Sequence, residues 1–455
     1  MSPKLLPRVL IAVLISCSAT GAAVAQNSGL VTLADDISLA VKPYVDAGDF
    51  MGVVAVQRGT EPALLLAFGQ ASVELGVDHG TDSVFMIGSV SKQFTAAAIL
   101  LLEEAGLVDT SEAVSAYLPG FKPGVDMTLE QLLTHRAGVA DIFSLPLFGS
   151  RAGRSADFSE VIQALNQADL TFPPGVSYAY SNGGYAVLAA IIEAASGLDY
   201  ADYLRTRIFV PLGMTDSAHD QPGPARPGRV PGYQPWGVDA LAPAELIAPA
   251  FTTGSGSLWS SGRDLLTWSN ALYGGELLTG ASLKKLSSDY GNGYGYGVSV
   301  FTRFDREVIG HDGRIWGYAS DLARYIDDEL NVVILSNVES VARDEIRLAV
   351  AAAVLGEPIP RPSAREFARA PLMPLSSLAG DYSFGPGFTV YVRESDERLL
   401  ARANEGAYSE LLPLANGDWF SRMLYQTVRF EIDKGQGADL LRWGTTDTAP
   451  VGQHQ

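Results

Sequence analysis

The chain has 455 residues, 47% of them hydrophobic, enough for one large domain with an appendage rather than a single small one. A formal net charge of −19 works against any basic patch, so nucleic acid and anionic membrane surfaces are excluded as expected partners. One cysteine, Cys17, rules out an internal disulfide.

Lys4 and Arg8 precede the apolar run Val9-Leu10-Ile11-Ala12-Val13-Leu14-Ile15, and Ala23-Val24-Ala25 offers small residues before Gln26. This order predicts a secretory leader over residues 1–25 and an exported product, periplasmic or secreted. Seven apolar residues are too few to span a bilayer. Leu14-Ile15-Ser16-Cys17 also fits a lipobox, in which Cys17 would be lipidated and would bring the protein to a membrane. The cut after Ala25 is preferred, because a cysteine in a leader serves as one more small apolar residue. That cut would leave no thiol for catalysis or metal binding.

Next come two strand-like runs, "MGVVAVQRG" and "PALLLAFG", which predict a hairpin within residues 51–69. From Ser89 to about residue 290 helical patterns dominate, among them "SEVIQALNQAD", "GGYAVLAAIIEAASG" and "SGRDLLTWSNALYGG". Strands then return as "YGVSVFTR", "REVIGHDG", "YASDLARYID" and "NVVILSN", followed by the helix "VARDEIRLAVAAAVLG". Their short turns favour antiparallel pairing. The expected fold is α/β in the α+β sense: an antiparallel sheet built from both ends of residues 30–355, flanked by helices, with a helical region inserted. A proline-rich linker occupies 356–375. Alternating short strands over 376–447 predict a small all-β, barrel-like domain.

Within "SVFMIGSVSKQFTAAAILLLEEAG", Ser89 and Lys92 stand one helical turn apart on one face, at the mouth of a helix that must be mostly buried. Free backbone N–H groups at such a mouth favour negative charge. A desolvated lysine there has a lowered proton affinity and can take the proton of a serine nucleophile. Alone the spacing is weak, and Ser282-Leu283-Lys284-Lys285 repeats it in a polar helix, where it reads as solvated surface. Downstream, Tyr180-Ser181-Asn182 puts a phenol and an amide side by side, one fit to relay a proton and the other to bind a carbonyl. His311-Asp312-Gly313 lies on a strand, where an edge glycine would let a substrate backbone come close. Each has a plainer alternative: Tyr180 in a core, Asn182 as a helix cap, His311 as a structural histidine.

Together and in this order, these motifs resemble the penicillin-recognising serine hydrolases: class C β-lactamases, D-alanyl-D-alanine carboxypeptidases, D-aminopeptidases and related esterases. "MTLEQLLTHRAGV", "VPLGMTDSA" and "GSLWSSGRDLLTWSN" extend the likeness over about residues 35 to 355. The resemblance implies Ser89 as acylated nucleophile, Lys92 as its base or proton partner, Tyr180 as proton relay and Asn182 as binder of the acyl-side amide. It also implies His311 at a cationic or hydrogen-bonding position, Gly313 beside the substrate, and an oxyanion hole made of the backbone N–H groups of Ser89 and Arg314. It calls for no metal or cofactor. Lys-Thr-Gly, usual at the third motif of the β-lactamases, is replaced here by His-Asp-Gly, which points away from antibiotic turnover. The expected activity is therefore an exported serine hydrolase of the esterase or D-peptidase type, acting on esters or amides of small molecules or peptides, with D-amino-acid peptides among the candidates. A class C-like β-lactamase, or a catalytically idle protein that binds penicillin or peptidoglycan peptides, are the alternatives. The β module resembles the barrels appended to several such hydrolases, as a cleft cover or a spacer.

Overall fold

The computed structural model describes residues 10–13, 22–151, 153–154, 156–219, 226–245, 247–363, 365–385, 388–404, 408–431, 438–444, 446 and 449–454. Gly52–Arg58 and Leu64–Phe68 form the expected hairpin, with Val54 opposite Leu66. Leu330–Ser336 pairs with Gly52–Arg58 on its other side, so the ends of the hydrolase region meet in mid-sheet. Tyr318–Tyr325, Arg306–Ile315 and Ser299–Arg303 then follow, all antiparallel. At the far end Leu10–Val13 pairs with Leu64–Phe68. The helix Ala22–Asp46 contains the cut expected after Ala25, while Cys17 lies outside the described residues.

Alternation along the strands builds two cores. Val53, Ala55, Val333 and Leu335 face the larger one, packed against the helices Ser91–Glu104, Asn182–Ser196 and Gly262–Tyr273. Val54, Val56, Val332 and Ile334 face the smaller one, closed by Ile37 and Val41 of Ala22–Asp46 and by Ile346 and Val350 of Ala342–Leu355. Both faces are covered, which is why Leu330–Ser336 is buried along its whole length. Among the described residues no helix is long and apolar enough to cross a membrane.

The C-terminal region is a closed antiparallel barrel of eight strands, from Gly380–Ser383 to Val451–His454. Tyr382, Val390, Val392, Leu399, Leu411, Trp419, Val428 and Leu441 fill it, and closure removes the exposed edges a small sheet would present. The closing strand lies beyond residue 447, where the alternating pattern was expected to end. It pairs with both Gly380–Ser383 and Leu440–Trp443.

Arg422 locks the barrel to the hydrolase region. Its Nε lies 2.6 Å from Asp49 Oδ1, and its two terminal nitrogens donate to the carbonyls of Gly237, Ala240, Ala47 and Gly48. Asp49 is 4% exposed, and burial raises its carboxyl against the opposing pull of Arg422. Arg422→Ala would strand that carboxylate. It is expected to cost about 3–5 kcal/mol, measured by denaturant unfolding.

Candidate active site

The segment that carries Ser89 is held by close backbone packing. Strand Val84–Met86 leads to Gly88, whose φ of +49° is a left-handed conformation that glycine adopts readily. A Cβ there would sit 2.9 Å from the backbone nitrogen of Arg314, so Gly88 also permits the two chains to touch. The turn Gly88–Val90 runs directly into the helix Ser91–Glu104. Ser91 Oγ accepts from the N–H of Leu258, and Thr95 Oγ1 donates to the carbonyl of Gly254. The helix is thus anchored by hydroxyls as well as by Phe94, Ile99 and Leu100.

Lys92 is completely buried. Its Nζ donates to Ser89 Oγ at 3.1 Å, to Asn182 Oδ1 at 2.8 Å and to the carbonyl of Ser255 at 2.8 Å. The rings of Tyr180 and Tyr185 lie 4.7 and 5.4 Å from it. Burial lowers its pKa to about 7, while Asp141 and Asp312 hold it from falling further. Near neutrality this amine passes readily between its two protonation states, and the hydroxyl it is bonded to is that of Ser89.

Ser181 caps the helix Asn182–Ser196 by accepting from the N–H of Gly184, and its own N–H donates to His135 Nδ1. Asn182 is therefore the first helical residue rather than the cap, and its amide is aimed at Lys92. Tyr180 keeps 38% of its surface open to the cleft. Loss of surrounding water raises its phenol well above the ordinary value, against a hydrogen bond with Ser89 that works the other way. Tyr180 is thus a protonated phenol at neutral pH, a donor before it is an acceptor.

Of the two positions expected for His311, cationic or hydrogen-bonding, the geometry supports the second, whereas Gly313 is placed differently from the expectation. His311 is buried, and burial lowers its pKa to about 4, so the ring is neutral and the cationic reading fails. Nδ1 faces the carbonyl of Asp312 at 2.6 Å and must carry the proton; Nε2 then accepts from Tyr294 Oη at 2.9 Å. Both ring nitrogens are engaged within the protein. Gly313 does not face the cleft: a Cβ there would fall 2.1 Å from the carbonyl of Ile87 and 2.3 Å from Ser320 Oγ. The absent side chain makes room for the Ile87–Ser89 backbone, not for substrate.

The cleft has a volume of about 230 Å³ and is bordered by Ser89, Tyr180, Asn182, His311 and Arg314, with Phe143 and Ile315 as apolar wall. Ser89, Lys92, Tyr180, Asn182, His311 and the Arg314 backbone therefore converge on one place. The sequence reading missed Tyr294, the partner of His311, and Asp141, whose Oδ2 accepts from both the backbone N–H and the side-chain Nδ2 of Asn182. It also placed Ser282 on a solvated surface, whereas Ser282 is 5% exposed under the cap of Thr279. Lys285 turns away from it to bind Glu103 at 2.8 Å. Lys285 Nζ meets the hydroxyl of Thr110 at 3.2 Å rather than that of Ser282, so the second serine–lysine spacing does not pair its own two side chains.

A family model described as Beta-lactamase matches residues 37–357. The chain belongs to the beta-lactamase family. Family membership places it among serine hydrolases of the beta-lactamase and penicillin-binding type. It is 29% identical over 408 residues to penicillin-binding protein 4* of Bacillus subtilis strain 168, covering 84% of this chain and 90% of that protein. It is 28% identical over 320 residues to the D-aminopeptidase of Brucella canis, covering 68% of this chain and 60% of that enzyme. The crystal structure of D-amino acid amidase from Ochrobactrum anthropi SV3 with D-phenylalanine superposes with a TM-score of 0.64 at 25% identity, covering 71% of this chain and 99% of that one.

Gly313→Ala would push the Ile87–Ser89 backbone aside, and a displacement of about 1 Å at a reacting group costs roughly a hundredfold in rate. Ester hydrolysis by that variant is expected to fall by about that factor. Ser282→Ala should leave the same rate within about twofold, because no feature of its surroundings touches the cleft.

Proposed function

We propose that the chain is an exported serine hydrolase that forms an acyl-enzyme on Ser89 and cleaves amides or esters, with D-residue amides and peptides as the substrate class. The observation that carries this reading is the fully buried Lys92, with a pKa of about 7 and its amine 3.1 Å from Ser89 Oγ. In the neutral form Lys92 takes the Ser89 proton as Oγ attacks the substrate carbonyl. The backbone N–H groups of Ser89 and Arg314 receive the developing oxyanion. Tyr180, protonated at rest, hands a proton to the leaving group and recovers one through Lys92. Water then attacks the ester on Ser89 and returns the serine. The expectation of export rests on the N-terminal order of charge, apolar run and small residues. The D-residue class is supported by the names of the relatives, which include a D-aminopeptidase and a D-amino acid amidase.

A β-lactamase reading has less support. His311 is neutral, the Asp312 carboxylate is paired with Arg343, and the Arg314 guanidinium is drawn toward Glu339 at 4.0 Å. A substrate carboxylate therefore meets less attraction than a lysine at the third motif would provide. We expect a fluorophosphonate probe to label Ser89, and kcat/KM for nitrocefin to lie below that for p-nitrophenyl butyrate. A ratio above one would favour the β-lactamase reading, and no labelling of folded protein would favour the idle binding protein.

Lys92→Met should abolish labelling while the melting temperature holds within a few degrees. The folded pKa lies below the ordinary 10.5, so the fold disfavours the charged amine at every pH below that value, and its removal relieves a cost.

A further inference from the structure

We propose that Asp141 is a positioning residue of this site: its carboxylate fixes which way the Asn182 amide faces, keeping Asn182 Oδ1 on Lys92 and turning one Asn182 N–H to the cleft. This inference rests on the acyl-enzyme reading and adds to it the group that orients the amide.

An asparagine amide can turn over with little change of shape, and only its partners decide which end is oxygen. At Asn182 the decision comes from behind. Asp141 Oδ2 accepts from the backbone N–H of Asn182 at 2.8 Å and from its Nδ2 at 2.9 Å. A carboxylate accepts only, so the end of the amide facing Asp141 must be nitrogen, and the oxygen must face Lys92 Nζ, 2.8 Å away. The other Asp141 oxygen accepts from the N–H of Phe143 at 2.9 Å, so the same carboxylate ties down an apolar wall residue of the cleft.

The chain is shaped to bring Asp141 there. Ser181 Oγ donates to the carbonyl of Ala140, and at Gly183 a Cβ would stand 2.1 Å from that carbonyl oxygen. Only a glycine at the second helical position lets residues 140–141 lie against the helix mouth. A carboxylate placed at this N-terminus also meets the positive end of a helix 15 residues long.

Asp141 also acts on Lys92 through space. The groups that face Lys92 are the carboxylates of Asp141 and Asp312, the histidines His135 and His311, both kept neutral by burial, and the phenols of Tyr180 and Tyr185, both kept protonated. Asp312 is shared with Arg343 in an ion pair, whereas Asp141 reaches Lys92 by way of a single side chain. Both carboxylates raise the lysine's proton affinity. Loss of Asp141 therefore lowers the pH at which the neutral base appears.

Two variants test this, the first read three ways and the second two. Asp141→Ala should lose the fixed Asn182 orientation in a crystal structure. It should lose at least about tenfold more kcat/KM on an N-acyl amino-acid p-nitrophenyl ester than on p-nitrophenyl acetate, which has no acyl-side amide to bind. The acidic limb of Ser89 labelling by fluorophosphonate should move down by roughly 0.5–1 pH unit. Asp141→Asn keeps one acceptor oxygen but no charge, so it should regain much of the substrate ratio and still show the shifted limb. A general packing role would slow both esters alike and leave the limb in place, which would overturn the proposal. An unchanged Asn182 pose in the Asp141→Ala crystal structure would also overturn it, whether or not the protein has activity. Failure of the wild type to label would count against the acyl-enzyme reading alone.

Discussion

The constraint on which the site depends is the burial of one amine. A lysine removed from water is costly to charge, and the fold meets that cost with three acceptors, two nearby carboxylates and a cage of rings rather than with a direct ion pair. A tight salt bridge to Lys92 would have raised its proton affinity and disabled it as a base. Asp141 instead reaches it through the Asn182 amide. The carboxylate is near enough to orient the partner and too far to fix the proton.

Much of the remaining structure keeps backbone close to backbone around that amine. Gly88 against Arg314, Gly313 against Ile87 and Gly183 against Ala140 are three places where a Cβ would separate chains that must touch. The first two join the nucleophile turn to the third-motif strand, the third seats residue 140 against the mouth of the amide helix, and Lys92, bonded to both Ser89 and Asn182, completes the frame. Burial and hydrogen bonding fix Lys92, Asn182 and His311 within it, while Tyr180 and the side chain of Arg314 keep contact with the open cleft. A hydrolase that must hold a tetrahedral intermediate gains from such a frame, since aimed N–H groups need no reorganisation during the reaction.

The sequence was informative wherever the signal was local. The continuous apolar runs in "MGVVAVQRG" and "NVVILSN" mark central strands covered on both faces, and the Ser89–Lys92 spacing puts both groups on one helical face. The order of the three motifs carries the family, and the C-terminal alternation carries the barrel. Signals that act across long separations were not readable. Asp141 sits in "GVADIF" with no periodicity or motif to distinguish it, and its partner lies 41 residues away. Tyr294 hides among the aromatic residues of "GNGYGYG", although its hydroxyl is the partner of His311 Nε2. The side toward which Gly313 needs room, and the burial of Ser282, depend on neighbours that only the folded chain supplies. The barrel outran its expected end because Val451–His454 is too short a strand to stand out.

The central claim is that Lys92 is a base poised near neutrality, and the small number of lysines makes it open to direct measurement. The chain holds seven. With the lysine side chains labelled at Cε, heteronuclear NMR can follow each through a pH titration, and Lys92→Met assigns the signal. The account predicts one lysine titrating near pH 7, with its signal absent from the variant. If every lysine, Lys92 included, titrates near 10.5, the amine is charged at neutral pH, and the account of how Ser89 is activated is wrong.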